Sequence, residues 1–129
     1  MPSKITRERI ASGAIDAGGD AVAYSKPIYG KILAVHVNYP TNTCTVDIDT
    51  DGELKAQKIV DLAAANTDAV YYPRVALHDN TGTALDLSDT EGGDVAMYGE
   101  FVVVGRLKLT IASGTATEEV TVDVIYEAY

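Results

Sequence analysis

The densest run of chemistry-bearing side chains is Asp47-Ile48-Asp49-Thr50-Asp51-Gly52. Three carboxylates at alternate positions followed by glycine is how a calcium loop opens, because the acids converge on a hard cation and the glycine allows a sharp turn. Leu54 also stands where such loops carry an apolar residue. The twelfth position, where a bidentate Glu is needed, is Lys58, and the flanks read as strands rather than helices. Asp47, Asp49 and Asp51 are therefore candidate metal ligands set against a plainer alternative. In that alternative Asp47 and Asp49 are the outward positions of a strand, and Asp51-Gly52 is a hairpin turn.

The two histidines, His36 and His78, have no Cys or His partner at zinc spacing. His78-Asp79 lacks a placed nucleophile, and no Gly-x-Ser-x-Gly exists. Gly92-Gly93 is not followed by the Lys-Ser/Thr of a phosphate loop. Glu118 and Glu119 are neighbours on an expected strand, so they point to opposite faces and cannot share acid–base work. The single cysteine, Cys44, falls at an inward strand position, where a thiol behaves as a small hydrophobe. These residues compose no catalytic set. The chain reads as a binding or structural protein, not an enzyme, and requires no cofactor. Its eight tyrosines, against one Phe and no Trp, gather at expected strand ends and loops. An apolar ring with a hydrogen-bonding tip suits an interface between subunits or with a partner.

The elements that would carry these residues are strands. Residues 31–39 place Leu33, Val35, Val37 and Tyr39 on one face and Ile32, Ala34, His36 and Asn38 on the other. In residues 43–50, Cys44, Val46 and Ile48 alternate with Thr45, Asp47 and Asp49, with a return strand expected over 53–60. Residues 61–68 are Ala-rich and could hold a short helical turn. Residues 70–77 resume strand composition, with Pro73 marking an edge or end. Residues 79–99 read as a long loop with a short strand at 84–87. Residues 100–104 form a strand, and Gly105 marks a bulge. Residues 107–111 and 120–126 then alternate as a terminal hairpin around Ser113-Gly114. The expectation is an all-β antiparallel sandwich, jelly-roll or Greek-key-like: one domain over 14–129, preceded by an extended N-terminal arm over 1–13.

Net charge is −9, which argues against nucleic acid as a partner, since phosphate binding needs clustered Lys and Arg. No apolar stretch reaches membrane length, and no leader pattern opens the chain. The charge is uneven. Residues 1–31 hold five of the ten basic residues and three acids, leaving the remainder strongly acidic. A basic arm on an acidic body suits docking onto an acidic protein surface.

Tyr71-Tyr72-Pro73-Arg74-Val75-Ala76-Leu77-His78-Asp79, followed by Gly82 and Ala84, resembles a segment of small structural proteins of tailed bacteriophages. The plan of an arm, a Gly-Lys-Ile-Leu-Ala-Val strand (residues 30–35), a long loop and a Val/Thr-rich end is similar too. The resemblance implies a virion component assembled in the host cytoplasm, most simply a head decoration (cement) protein. Such proteins form homotrimers and bind the major capsid protein. Neck, tail or fibre-base modules are the alternative virion role, and a calcium- or carbohydrate-binding sandwich the alternative outside the virion. On the decoration reading, charge asymmetry and exposure make Lys4, Ile5, Arg7, Arg9 and Ile10 candidate capsid contacts.

Overall fold

Alternating Val, Ile and Leu at period two gives strands with one face to bury, and two such faces must meet. The computed structural model describes residues 3–87 and 95–129 and is all-β and antiparallel. One layer orders β1 (Lys4–Ala11), β12 (Thr121–Ala128), β3 (Ile28–Asn38) and β6 (Ala69–Tyr71). The other orders β2 (Ala21–Tyr24), β11 (Val102–Ala112), β4 (Cys44–Asp51) and β5 (Lys58–Ala65). Between them lies one core, with Ile10, Val35, Val37, Val122 and Val124 from the first layer and Val46, Ile48, Leu109 and Ile111 from the second. The expected antiparallel β-sandwich is what the chain forms.

β11 belongs to both layers. Val102–Gly105 pair with β3, while Arg106–Ala112 pair with β4. The change of partner falls at Gly105, whose φ of +122° is closed to ordinary side chains. Alongside it the 25–27 segment makes the same passage between layers. It is tied to β11 by Ser25 N–H donating to the Leu107 carbonyl (2.9 Å) and Leu107 N–H donating to Ser25 Oγ (2.8 Å).

Several expectations are corrected. Residues 4–11 of the expected arm are an edge strand, paired with β12 from Lys4↔Ala128 to Ala11↔Thr121. Ile10 is its core anchor, because the pleat turns every second residue inward. Residues 107–111 and 120–126 are not a hairpin. The segment between them crosses the layers beside residues 12–20, held by Ser12 N–H to Val120 O and Ile15 N–H to Glu118 O, both 2.8 Å. Glu118 and Glu119 lie in that crossing, ahead of β12. Residues 61–65 continue strand β5 and form no helical turn. The β4–β5 loop spans residues 52–57, so the return strand begins at Lys58. β3 also changes phase, for it pairs Ala34 with Ile125 and Ile32 with Tyr126, leaving Leu33 bulged. Ile28 and Ile32 therefore point inward on one side of the bulge, and Val35 and Val37 on the other.

Residues 74–87 and 95–100 leave the sandwich as a finger. Its stem pairs β7 (Val75–Ala76) with β10 (Tyr98–Gly99), and β8 (Asp86–Leu87) pairs with β9 (Val95–Ala96). The three segments close a cycle: Leu77 N–H donates to Met97 O, Met97 N–H to Leu85 O, and Leu85 N–H to Leu77 O. Gly92-Gly93 lie outside the described residues.

Candidate contact surfaces

The expected contact residues sit on β1, whose pleat divides them. Lys4, Ile5, Arg7 and Arg9 are exposed, while Ile10 is 2% accessible and cannot touch a partner. Ser12 N–H bonds β12, so the even residues of β1 face that neighbour. The backbone groups of Ile5, Arg7 and Arg9 then point to the open side of the sheet.

Across the outer face of this layer, Arg9, Asp123, His36 and Val70 stand in one transverse row. Arg9 holds Asp123 in a forked pair, with Nε to Oδ1 2.8 Å and Nη2 to Oδ2 3.0 Å. That bonded guanidinium keeps the Asp123 carboxyl below the usual carboxylate range. His36 is exposed beside Asp123 in a shallow concavity of about 510 Å³ whose far wall includes Asn38 and Asp68. Asn38 Nδ2 donates to Asp68 Oδ2 (3.0 Å), and Tyr39 N–H donates to Asp68 Oδ1 (2.8 Å). The polar groups of this hollow thus largely satisfy one another.

Asp47, Asp49 and Asp51 lie along β4 as an alternating strand requires, and cations of this chain already face them. Lys58 Nζ is 3.4 Å from Asp49 and 4.0 Å from Asp47, and Arg106 Nε bonds Asp51. Asp61 stands directly across from Asp47. Burial, and then the Asp61 carboxyl, push the Asp47 carboxyl up against the pull of Lys58. Among the described residues no three His, Cys, Asp or Glu side chains gather as a metal would need. Cys44 is fully buried, its thiol pushed up by burial and then by Glu118.

Two further surfaces were not assembled in the sequence reading, which singled out the tyrosines only as a set. The first is the lower outer face of the β1 layer, where Val102 and Val104 oppose Lys31 and Tyr29 across the β11–β3 ladder. Tyr29 and Val104 are 55% and 59% exposed, and Tyr129 joins them through its N–H to the Tyr29 carbonyl (3.0 Å). Gln57 Nε2 donates to Val102 O (3.0 Å) and Glu53 Oε1 accepts from Val104 N–H (3.1 Å), satisfying β11 where β4 no longer reaches it. Fully exposed Leu54 rides on that same loop. Outward Val and Tyr in an alternating run were the available clue.

The second is the finger. From Arg74 to Glu100 no described residue is buried, and Leu77, Leu85, Met97 and Tyr98 are exposed. Its backbone is nonetheless well held. Asp79 Oδ1 accepts from Thr81 N–H (2.8 Å) and Thr83 N–H (3.0 Å), shaping the tip. Arg74 roots it by donating from Nη1 to the carbonyl of the bulged Leu33 (3.3 Å). The Tyr-Pro-Arg segment is the hinge-side anchor of an element whose apolar side chains lie open. The chain matches no protein-family profile and no curated protein sequence.

Proposed function

We propose that this chain is a virion structural protein of a tailed phage, a decoration protein that binds the assembled head as a homo-oligomer and stabilises it. The observation that carries the reading is the exposed Tyr29, Val102, Val104 and Tyr129 group on a sheet face, an apolar surface on a chain of net charge −9. Contiguous exposed apolar groups mark interaction sites. Tyrosines add area at low entropic cost. The phage resemblance of residues 71–84 supplies the setting.

The mechanism is linkage. A protein that binds only the assembled lattice shifts the assembly equilibrium toward it. Several copies joined together bind with avidity beyond any single contact. The exposed Lys4, Ile5, Arg7 and Arg9 remain available to partners, whereas Ile10 is withdrawn into the core.

Co-sedimentation with purified empty heads tests the reading. The wild-type chain is expected to pellet with heads and not with unassembled capsid protein, and Y29A/V104D to remain in the supernatant with an unchanged melting curve. Sedimentation with tails or necks instead would transfer the protein to that part of the virion. Binding to none of these would end the proposal.

A further inference from the structure

The finger presents exposed apolar side chains at Leu77, Leu85, Met97 and Tyr98. Isolated two-stranded ribbons are marginal in water, yet this one has a closed hydrogen-bond cycle at its base and a formed tip. Around that cycle Leu77, Leu85 and Met97 are 36%, 37% and 38% exposed. The finger is also acidic. Residues 74–100 contain one base, Arg74, and six acids, and Arg74 is committed to the Leu33 carbonyl.

The complementary surface is at β1. Ile5, 67% exposed, borders a shallow hollow with Thr6, Arg7 and Ile125. Arg7 shares the face of Ile5 and lies 3.9 Å from Asp123, Lys4 stands on the opposite face, and the strand's outer backbone edge is open. The trio would meet exposed Ile5 in a hollow whose lining is otherwise mostly polar, and acidic finger and basic edge match in sign.

We infer that the finger of one copy docks on the β1 edge of a second copy, Leu77, Leu85 and Met97 entering the hollow beside Ile5 and Asp86 facing Lys4 and Arg7. Finger and edge are different surfaces of the same chain, so the contact is head-to-tail, and it builds a closed ring when the rotation between copies closes. The inference rests on the self-association in the reading above and not on what the assembly binds.

The test is complementation. The L77S/M97S chain loses the finger contact and keeps its edge, and the K4E/R7E chain loses the edge and keeps its finger. The wild-type chain is expected to give a light-scattering mass that is a multiple of 13.7 kDa. Each variant alone is expected at 13.7 kDa with a wild-type circular-dichroism spectrum, and their equimolar mixture at twice that mass. The mixture guards against misfolding, because an unfolded variant could not restore a complex. A monomeric wild type, variants that still associate, or a mixture that stays monomeric would each overturn the inference. A monomer that still sediments with heads would overturn it and leave the decoration reading standing, whereas a ring that binds no heads would do the reverse.

Discussion

Carboxylates in this chain titrate in opposite senses because their surroundings differ. Asp123 is held low by Arg9, so its folded value lies below its unfolded one. Its contribution is present above the ordinary carboxylate range and disappears as pH falls through the lower folded value. Arg9→Gln should therefore lower stability at pH 7 slightly, as loss of an exposed pair does. The difference from wild type should shrink in urea melts as the pH is lowered through the carboxylate range. Asp47 is raised, so its ionised form costs stability at neutral pH, and the cost is relieved as pH falls through the folded value. Asp47→Asn removes one of two like charges directly opposed across β4 and β5. It should stabilise the protein by about 0.2–1 kcal/mol at pH 7, and less at pH 4, in the same melts. Tyr39 is 7% accessible, and its hydroxyl lies near that of Tyr71 without forming a hydrogen bond of ordinary geometry among the described residues. Tyr39→Phe should thus leave the thermal midpoint unchanged or raised, since no bond is lost and a polar group leaves the interior.

At the scale of elements, alternation was readable where the strand is regular and one-sided. Cys44, Val46 and Ile48 point inward as their spacing says. In β3 the same reasoning fails before Val35, because the bulge at Leu33 shifts the phase by one residue and no residue type announces it. β1 hides its period for a different reason. As an edge strand it buries only Ile10 deeply, and its charged outward residues look like those of a free arm. Partner choice was the least readable feature. Residues 107–111 and 120–126 are close in sequence, but the eight residues between Ala112 and Thr121 pass from one layer to the other instead of turning back within one. Removing residues 1–13 should consequently unfold the sandwich or lower its midpoint sharply, since Ile10→Ala alone is expected to cost about 2–5 kcal/mol. Gly105→Ala should destabilise by more than about 1 kcal/mol, because φ is +122° there. Denaturant midpoints of both variants measure this.

For the molecule as a whole, the sandwich is complete while parts of its surface are not. The core needs nothing from outside, and Cys44 within it should resist thiol reagents at pH 8 until denaturant is added, which a colorimetric thiol assay reads directly. The surface carries an apolar sheet face, an open basic edge and an acidic finger among whose described residues none is buried. The basic edge was singled out as a candidate contact by its charges, whereas the apolar sheet face and the acidic finger were not assembled as sites from the residues alone. Outward Val and Tyr, edge charges and a Gly-rich acidic stretch each have an ordinary solvated counterpart in sequence, and only their placement sets them apart.

β11 runs through both layers, so the two are welded by a continuous backbone as well as by interlocked side chains. To slide or peel one layer from the other, a load must rip ladder bonds on both flanks of that shared strand at once. In a single-molecule pulling experiment such a body should yield in one abrupt event rather than by gradual delamination. Its slowest-exchanging amides should run along residues 103–111, straddling the corner.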